Sequence, residues 1–285
     1  MPELPEVETI KRSLAKALVG KIIKDIEVRK PKIFQGDRNE VIGRKIESVE
    51  RKGKVLIVNL EGEKSLMIHF KLTGQMVWAS QAGTSITLGH PIPYAGSTLP
   101  AKTTHVIFDI NGGKLFYNDV RQFGWIKVVQ NSESSFGNLL GKLGPEPFDK
   151  DFNLDYLKKV FSKTSKPVKL VLLDQEKMAG IGNIYANEAL FEAKIMPARK
   201  ANSLGDKEIE KLQEAIILVL EEGIKYGGSS AADEAYIQPD GNPGRYQEHF
   251  RVYQKKGQKC PRCKGVVERI NLGGRGTFYC PACQR

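Results

Sequence analysis

The chain has 285 residues, of which 40% are hydrophobic and 27% charged, a composition that predicts a globular protein and excludes fibrous and wholly disordered classes. Lysine and arginine outnumber aspartate and glutamate by 44 to 33, and the net charge of +11 favours a polyanionic partner, with nucleic acid ahead of a membrane surface. No apolar run approaches the roughly 20 residues that span a bilayer, and the acidic start differs from a signal peptide, so we expect a cytoplasmic protein.

The first half of the chain has the pattern of one helix followed by many short strands. Apolar residues recur at helical spacing over residues 5–18, and Pro5 suits the first turn of a helix. From residue 21 to about residue 129 the pattern is that of strands, which is typical of a sandwich or a barrel. Residues 80–103 are rich in Gly, Pro, Ser and Thr, and we expect a long loop there. The clearest strands are expected at 54–60, 65–70, 105–110 and 114–117.

Helical periodicity dominates after residue 150. Helices are expected over 154–161, 166–173 and 183–193, and a longer amphipathic helix follows Ser203-Leu-Gly-Asp206, which resembles a capping box. The predicted fold class is therefore α+β with several domains. These are an N-terminal β-domain (1–132), a linker (133–150), a helical domain (151–228), a polar loop (229–245) and a metal-binding module (246–285).

All four cysteines lie in the basic C-terminal segment, as Cys260-Pro-Arg-Cys263 and Cys280-Pro-Ala-Cys283. Each Cys-x-x-Cys pair presents two thiolates to one ion, and two pairs complete a closed tetrahedral site. We predict one structural zinc ion, because four sulfur ligands leave no position for a substrate; a redox role for the pairs is the less favoured alternative. The residues between the pairs predict a hairpin whose tip carries Arg275.

Pro2 is a candidate nucleophile. Removal of Met1 would leave a free secondary amine, which is a better nucleophile at neutral pH than a lysine side chain because an α-amino group has the lower pKa. Attack on a sugar C1′ would form an iminium, which acidifies the neighbouring C2′ hydrogen and opens a route to strand scission. The carboxylates of Glu3 and Glu6 lie close by in sequence for acid–base work. The alternative interpretation is that Pro and Glu here only favour the start of a helix.

The motifs at the two ends of the chain, taken together, resemble those of the formamidopyrimidine-DNA glycosylase family. One is Pro2-Glu-Leu-Pro-Glu-Val-Glu-Thr9 and the other is the four-cysteine hairpin. The resemblance implies an N-terminal β-sandwich with flanking helices, a helix-two-turn-helix domain and a C-terminal zinc-finger hairpin. Further matches are Arg51-Lys-Gly-Lys54, Ile68-His69, Asp119-Val-Arg-Gln-Phe-Gly124, Leu143-Gly-Pro-Glu-Pro147, Gly180-Ile-Gly-Asn-Ile-Tyr-Ala186 and Gly276-Thr-Phe-Tyr-Cys280.

The resemblance also implies an activity. It is that of a bifunctional enzyme of bacterial base excision repair, which removes 8-oxoguanine and formamidopyrimidines from double-stranded DNA and cleaves the strand by β,δ-elimination. Such an enzyme needs no membrane and is expected to act as a monomer. Two alternatives remain open: an endonuclease VIII-like glycosylase for oxidised pyrimidines, and a non-catalytic DNA-binding protein that kept the scaffold.

Roles for individual residues follow from the same resemblance. Pro2 would be the Schiff-base nucleophile and Glu3 the general acid, while Lys54 and Arg275 would act at the reacting nucleotide and its backbone. A base must leave the duplex to be reached, and the vacated space must be filled. Residues expected to contact DNA, either by filling that space or by binding the lesion and backbone, are Glu6, His69, Leu72, Arg121, Phe123, Lys169 and Asn183.

Two positions depart from the family pattern, and one segment has no assigned contacts. Leu72 stands where the family usually has methionine, and the branched side chain is less adaptable as a filler. Gln122 stands where a second arginine is typical, which removes one cationic contact. Residues 229–245 match the lesion-capping loop of the family. In the absence of the family motifs, Arg121 and Phe123 would be interpreted as a solvated charge and an ordinary strand residue.

Overall fold

Two compact units make up the described part of the chain. Unit 1 comprises Met1–Gly141 and Ile224–Gln247, and unit 2 comprises Lys142–Gly223 and Glu248–Arg285. The domain boundaries expected from the sequence stay a prediction, and residues 230–243 of the expected capping loop lie outside the described residues. The computed structural model describes residues 1–83, 85–89, 98–131, 137, 140–229 and 244–285.

Unit 1 begins with helix α1 (Leu4–Leu18), as the periodicity predicts. Its apolar stripe is fully buried, and Pro5 lies in its first turn. Strands follow the helix along the chain. They are β1 (Ile23–Val28), β2 (Phe34–Gln35), β3 (Ile46–Lys52), β4 (Val55–Leu60), β5 (Lys64–His69), β6 (Gly74–Ser80), β7 (Ser85–Gly89), β8 (Thr104–Ile110), β9 (Gly113–Asp119) and β10 (Trp125–Gln130).

These strands form two five-stranded sheets, in the orders β1-β8-β9-β6-β7 and β2-β10-β5-β4-β3. Neighbouring strands are antiparallel, except that β2 runs parallel to β10. Buried apolar side chains from both sheets and from α1 belong to one cluster, so the unit is a sandwich and not a barrel. The helix covers part of the core that the two sheets enclose.

The prediction of a long loop over residues 80–103 is wrong in part. Ser80 still belongs to β6, and residues 85–89 form β7, which pairs with β6 as an edge strand. The Gly, Pro and Ser content of the segment hid a short strand that is fixed by pairing with its neighbour and not by its own periodicity. Residues 84 and 90–97 lie outside the described residues.

Unit 2 contains most of the helical part and the C-terminal hairpin. The four expected helices are present, the second of them shorter than expected. Within the described residues, no helix combines the length and the apolar character that a membrane span requires. The elements are α2 (Leu154–Ser162), α3 (Val168–Leu172), α4 (Asn183–Glu192), α5 (Asp206–Lys225, whose last two residues fall in unit 1), β11 (Glu268–Leu272) and β12 (Arg275–Tyr279).

The capping box expected at Ser203–Asp206 is wrong. The Ser203 hydroxyl donates to the Lys200 carbonyl at 2.8 Å, within a short 3₁₀ turn. Helix α5 is capped instead by the Glu208 carboxylate, which accepts the Gly205 N–H at 2.9 Å. One of the two hydrogen bonds of a capping box, from the backbone N–H before the helix to a carboxylate three residues on, is therefore present. It is made two residues later than expected, and a glycine takes the place of the serine.

Candidate active site

The start of the chain is an ordered part of unit 1. Pro2 is buried, and Glu3, just before α1, is 2% exposed. In the first turn of the helix, Glu6 accepts the Glu3 N–H through Oε2 at 2.8 Å and the Ser229 N–H through Oε1 at 2.8 Å. Charge-assisted hydrogen bonds of this kind are stronger and more directional than neutral ones. The buried carboxylate of Glu6 therefore fixes the backbone that follows the candidate nucleophile.

Lys54 lies in the tight turn between β3 and β4 and is 7% exposed. The preceding Gly53 has φ of 57°, a conformation that favours glycine. Arg51 donates to the Gly53 carbonyl at 2.9 Å, and its Nε lies 3.2 Å from Oε2 of Glu8 on α1. These contacts connect the turn that carries Lys54 to the helix that follows Pro2.

Glu8 makes that connection as an anion. Burial acts to raise the pKa of Glu8, but hydrogen bonds from Lys11 and Arg12 and the charge of Arg51 outweigh it, so the pKa lies below the ordinary value. Its Oε1 accepts from Lys11 Nζ at 3.0 Å and from Arg12 Nε at 2.9 Å. An ionised Glu8 thus stabilises Arg51, and through it the Lys54 turn, at neutral pH.

His69 ends strand β5 as a neutral side chain. Its Nδ1 accepts the Lys71 N–H at 3.0 Å. Burial is the main cause that lowers the pKa of His69 to about 3, and the positive charges of Lys71 and Lys54 lower it further. Since Nδ1 is the acceptor, the proton of the neutral ring is on Nε2. His69 can therefore donate one hydrogen bond through Nε2 without changing its charge near neutral pH.

The three predicted filler residues lie on two loops of unit 1. Leu72, in the loop between β5 and β6, is half-buried, whereas Arg121 and Phe123, in the loop between β9 and β10, are exposed. The Phe123 side chain is 53% exposed, and the guanidinium carbon of Arg121 lies 4.9 Å from the centre of its ring. A large exposed aromatic ring beside a cation suits stacking on a nucleobase.

In unit 2, Arg275 lies at the tip of the β11–β12 hairpin. Gly273 and Gly274 form the two-residue turn with φ of 59° and 74°, the backbone that such hairpins require. The Arg275 side chain is exposed beside this turn. The expected hairpin with an arginine at its tip is confirmed as a feature of the fold, while the role of Arg275 stays a prediction.

Lys169 and Asn183 converge on the backbone directly behind that arginine. The Lys169 ammonium donates to the Gly276 carbonyl at 3.0 Å and to the Thr277 hydroxyl at 2.7 Å. Asn183, at the start of α4, donates through Nδ2 to the same Gly276 carbonyl at 3.2 Å. Lys169 is fully buried, so its ammonium lies against the hairpin. Its predicted contact with DNA stays a prediction.

Glu188 is a buried acidic residue that the sequence analysis missed. Its Oε1 accepts the N–H groups of Val252 at 3.0 Å and Tyr253 at 2.8 Å, and its Oε2 accepts the Arg251 N–H at 2.8 Å. Burial raises the pKa of Glu188, while these N–H groups and the Arg251 charge oppose that effect. Glu188 fastens α4 to the segment that precedes the cysteines. The sequence signal that could have identified Glu188 is an acidic residue within the largely apolar run of α4.

The four cysteines form a cluster with the geometry of a metal site. All four Sγ atoms lie within 4.8 Å of one another, with Cys260 and Cys283 at 3.9 Å and Cys263 and Cys280 at 3.5 Å. A tetrahedral ion with Zn–S bonds of about 2.3 Å holds its sulfurs about 3.8 Å apart, so the donor set fits zinc. The predicted four-cysteine cluster is confirmed.

The electrostatic surroundings of these thiols are unequal. The Gly265 N–H and the neighbouring thiols lower the pKa of Cys263 to about 7. Burial raises the pKa of Cys283 to about 12, with the neighbouring thiols adding to the effect. A bound cation favours the thiolate form of all four ligands.

Family models match nearly the whole chain. The N-terminal domain of formamidopyrimidine-DNA glycosylase matches residues 1–126, the H2TH domain of the same enzyme matches 143–235, and a zinc finger found in FPG and IleRS matches 257–285. The formamidopyrimidine-DNA glycosylase of Desulfitobacterium hafniense is 40% identical over 289 residues, with both chains fully covered.

Solved structures of the same kind match over the full length. A variant of Lactococcus lactis FPG in complex with DNA containing Fapy-dG superposes with a TM-score of 0.88 at 34% identity, with 100% of each chain covered. The wild-type Lactococcus lactis protein in complex with DNA containing an oxidized pyrimidine gives a TM-score of 0.87 at 34% identity, also with 100% of each chain covered.

A two-sheet sandwich, an H2TH domain and a zinc-finger hairpin in one chain define the class of zinc-finger DNA repair glycosylases. The full-length matches give the family: this chain belongs to the formamidopyrimidine-DNA glycosylases. The resemblance predicted from the motifs at its two ends is confirmed, and so is the α+β fold class with its three parts. The assignments of individual residues stay predictions.

Proposed function

We propose that this protein is a DNA glycosylase and abasic-site lyase that removes oxidised purines from double-stranded DNA in base excision repair. The observation that carries the proposal is the buried, hydrogen-bonded start of the chain, where Glu6 holds the backbone that follows Pro2. Membership of the glycosylase family along the whole chain supports it. We place the protein in the bacterial cytoplasm with the chromosome, acting as a monomer.

The proposed chemistry begins once Met1 has been removed. The lone pair of the Pro2 nitrogen attacks C1′ of the damaged nucleotide, and the glycosidic bond breaks with its electrons leaving on the base, which takes up a proton. Glu3, in its acid form, protonates O4′ as the C1′–O4′ bond opens, and the nitrogen loses its proton to give a Schiff base.

Strand cleavage follows from the Schiff base. Loss of the C2′ proton expels the 3′ phosphate in the β-elimination, and loss of a further proton expels the 5′ phosphate in the δ-elimination. Water then hydrolyses the iminium and restores the amine of Pro2. The electron sink for both eliminations is the iminium itself, so the chemistry requires no redox cofactor.

The side chains around this centre would bind and reshape the DNA. Lys54 and the Nε2–H of His69, both in unit 1, would contact phosphates of the DNA backbone. Arg275 and Asn183, both in unit 2, would also contact the backbone. Leu72, Arg121 and Phe123 would enter the space that the extruded nucleotide leaves. Glu6 would help to shape the pocket for the damaged base, Lys169 would assist in the processing of oxidised purines, and the segment 229–245 would be the lesion-capping loop, to which no individual contacts are assigned.

A single zinc ion bound by Cys260, Cys263, Cys280 and Cys283 would hold the hairpin as a structural element. Zinc supplies a rigid cross-link there, and the four thiolates leave no coordination position for substrate. The predicted domain division (1–132, 133–150, 151–228, 229–245 and 246–285) would give this module its own DNA-binding surface.

Borohydride trapping tests the proposal. Wild-type protein mixed with a duplex that contains 8-oxoguanine should give a covalent protein–DNA adduct when borohydride is present. Pro2→Gly should lose most of the adduct, and Pro5→Ala, which changes another proline of the same motif, should keep it. No adduct with the wild type, or an undiminished adduct with Pro2→Gly, would reject the proposal.

A second substrate class is favoured by one specific observation. A close structural neighbour was solved with DNA that contains an oxidized pyrimidine. Parallel single-turnover excision of 8-oxoguanine and of thymine glycol separates the two candidates. Faster removal of thymine glycol would favour the oxidised-pyrimidine alternative.

A further inference from the structure

A buried carboxylate links the two loops that carry the predicted filler residues. Asp119 ends β9 and is fully buried. Its Oδ2 accepts the Gly124 N–H at 2.8 Å, and its Oδ1 accepts the Thr73 hydroxyl and the Arg121 N–H, the latter at 3.2 Å. The Thr73 hydroxyl oxygen also accepts the Arg121 N–H, at 2.9 Å. One loop thus supplies Thr73, the other supplies Arg121 and Gly124, and Asp119 bonds to all three.

Each loop contains a strained backbone position next to a filler residue. Lys71, with φ of 50°, precedes Leu72, and Gln122, with φ of 55°, lies between Arg121 and Phe123. The left-handed region is disfavoured for residues with a Cβ, and such positions persist only where the surrounding structure holds them. Hydrogen bonds to Asp119 and Thr73 flank Gln122 on both sides, and Thr73 itself follows Leu72, while the Lys71 N–H is bonded to Nδ1 of His69.

The end of the second loop lies directly against the sheet. A Cβ at Gly124 would lie 1.9 Å from the Tyr117 hydroxyl and 3.1 Å from Oδ2 of Asp119, so only glycine fits after Phe123. Burial raises the pKa of Tyr117 well above its ordinary value, and the charge of Asp119 adds to the effect. The neutral Tyr117 hydroxyl and the Asp119 carboxyl group therefore lie directly beneath the end of the loop.

We propose that Asp119 and Thr73 are positioning residues that set the two loops relative to each other, so that Leu72, Arg121 and Phe123 enter the duplex as one unit. The inference rests on the proposed function, because it concerns how the filler residues are held. Neither Asp119 nor Thr73 contacts the reacting atoms. Their effect is to keep three side chains from two loops in one arrangement before DNA arrives, which lowers the entropy lost when the stack is entered.

The test uses Thr73→Val, which keeps the shape of the side chain and removes the hydroxyl. The hydrogen bond to Asp119 is lost, and the Arg121 N–H loses its shorter acceptor. Single-turnover excision of 8-oxoguanine from a duplex should slow by about tenfold, the effect expected for one or two buried hydrogen bonds. Thr73→Ser keeps the hydroxyl and should restore a rate within about twofold of the wild type.

Two controls separate positioning from loss of stability. Thr104→Val removes a buried hydroxyl that donates to Asn118 in the same sheet and accepts the Ala101 N–H, and neither of these hydrogen bonds involves the two loops. It should leave the rate of duplex excision unchanged. Nicking of an abasic site in single-stranded DNA, which has no stack to enter, should be the same for Thr73→Val and the wild type.

A double-mutant cycle with Phe123→Ala gives the sharpest outcome. If Thr73 acts by holding the filler residues, Thr73→Val should slow the Phe123→Ala protein by less than about threefold, because the two changes share one mechanism. Additive effects, or equal rates for Thr73→Val and the wild type on the duplex, would overturn the inference. Absence of any excision or adduct with the wild type would instead reject the proposed function, so the two failures are distinguishable.

Discussion

A buried side chain hydrogen-bonds to the backbone at the chain start in unit 1, and another does so at the hairpin tip in unit 2. The two side chains have opposite charge. At the chain start, the Glu6 carboxylate accepts backbone N–H groups of Glu3 and Ser229. At the hairpin tip, the Lys169 ammonium donates to the Gly276 carbonyl. The first region presents backbone N–H groups, which need a hydrogen-bond acceptor, and the second presents a backbone carbonyl, which needs a donor.

The comparison shows that the proposed nucleophile and the proposed phosphate-binding arginine are positioned by separable interactions. The chain start depends on hydrogen bonds within unit 1. The hairpin tip depends on Lys169, on Asn183 and on the four-cysteine cluster of unit 2. Perturbing one region should therefore leave the other intact, and the predictions that follow use this separation.

Removal of the metal should have the largest effect, and only on unit 2. Structural zinc sites contribute on the order of 10 kcal/mol to the folding of small modules. Prolonged treatment with a chelator should abolish tight DNA binding, whereas the amount of borohydride adduct at saturating DNA should fall far less. Filter binding and trapping on the same samples measure both. Prompt loss of adduct formation with intact DNA binding would contradict the separation.

Lys169→Met should have the next largest effect. It removes the charged donor of the Thr277 hydroxyl and leaves the Gly276 carbonyl with the bond from Asn183, and loss of hydrogen bonds to a charged group costs about 1.5–3 kcal/mol. Urea unfolding followed by circular dichroism measures the loss. Lys166→Met makes the same charge change at an exposed lysine and should shift stability by less than about 0.5 kcal/mol. Equal midpoints for the two variants would show that the ammonium does not hold the hairpin.

Glu6→Gln should weaken the chain start in the same manner. The amide group can accept through one oxygen only, so one of the two N–H groups is left facing an NH₂, at a cost of about 1–3 kcal/mol. Trapping at saturating DNA should slow, while the salt dependence of DNA binding stays that of the wild type. Glu47→Gln, at an exposed position of the same unit, serves as the control. A change in binding without a change in trapping rate would place the role of Glu6 elsewhere.

Near neutral pH the protonation of His69 should have the smallest effect, and this effect grows as the pH falls. Burial, with Lys71 and Lys54, lowers its folded pKa to about 3, so the unfolded chain takes up the proton first as pH falls. The resulting contribution to stability is complete above the ordinary pKa of 6.5 and is lost progressively as pH falls toward 3. The wild type should therefore lose stability relative to His69→Gln between pH 7 and pH 4, as urea midpoints would report. Parallel curves would mean that the pKa of His69 is not lowered in the folded protein.

Sequence patterns predicted the elements that depend on local order. The apolar spacing of α1, most of the strands and the two cysteine pairs were visible because each signal lies within a few residues. The edge strand β7 was missed because its pairing with β6 fixes it. The link between Thr73 and Asp119 joins residues 46 positions apart, and Glu188 reaches Val252 across 64, so neither leaves a periodic pattern.

For the predicted site, the sequence supplied residue identities but not their geometry. The family motifs indicated Pro2, Glu3 and Lys54, but only the structure shows Glu6 shared between two backbone N–H groups. Lys169 was expected to contact DNA, and the structure buries its ammonium against the hairpin. Burial and hydrogen-bond partners follow from tertiary packing, which no local spacing encodes.

The attachment point of the trapped DNA tests the central claim most directly. Proteolysis of the borohydride adduct followed by mass spectrometry should locate the sugar on the nitrogen of Pro2, in a peptide that lacks Met1. Attachment to Lys54 or to any other lysine, or an active protein that retains Met1, would contradict the account.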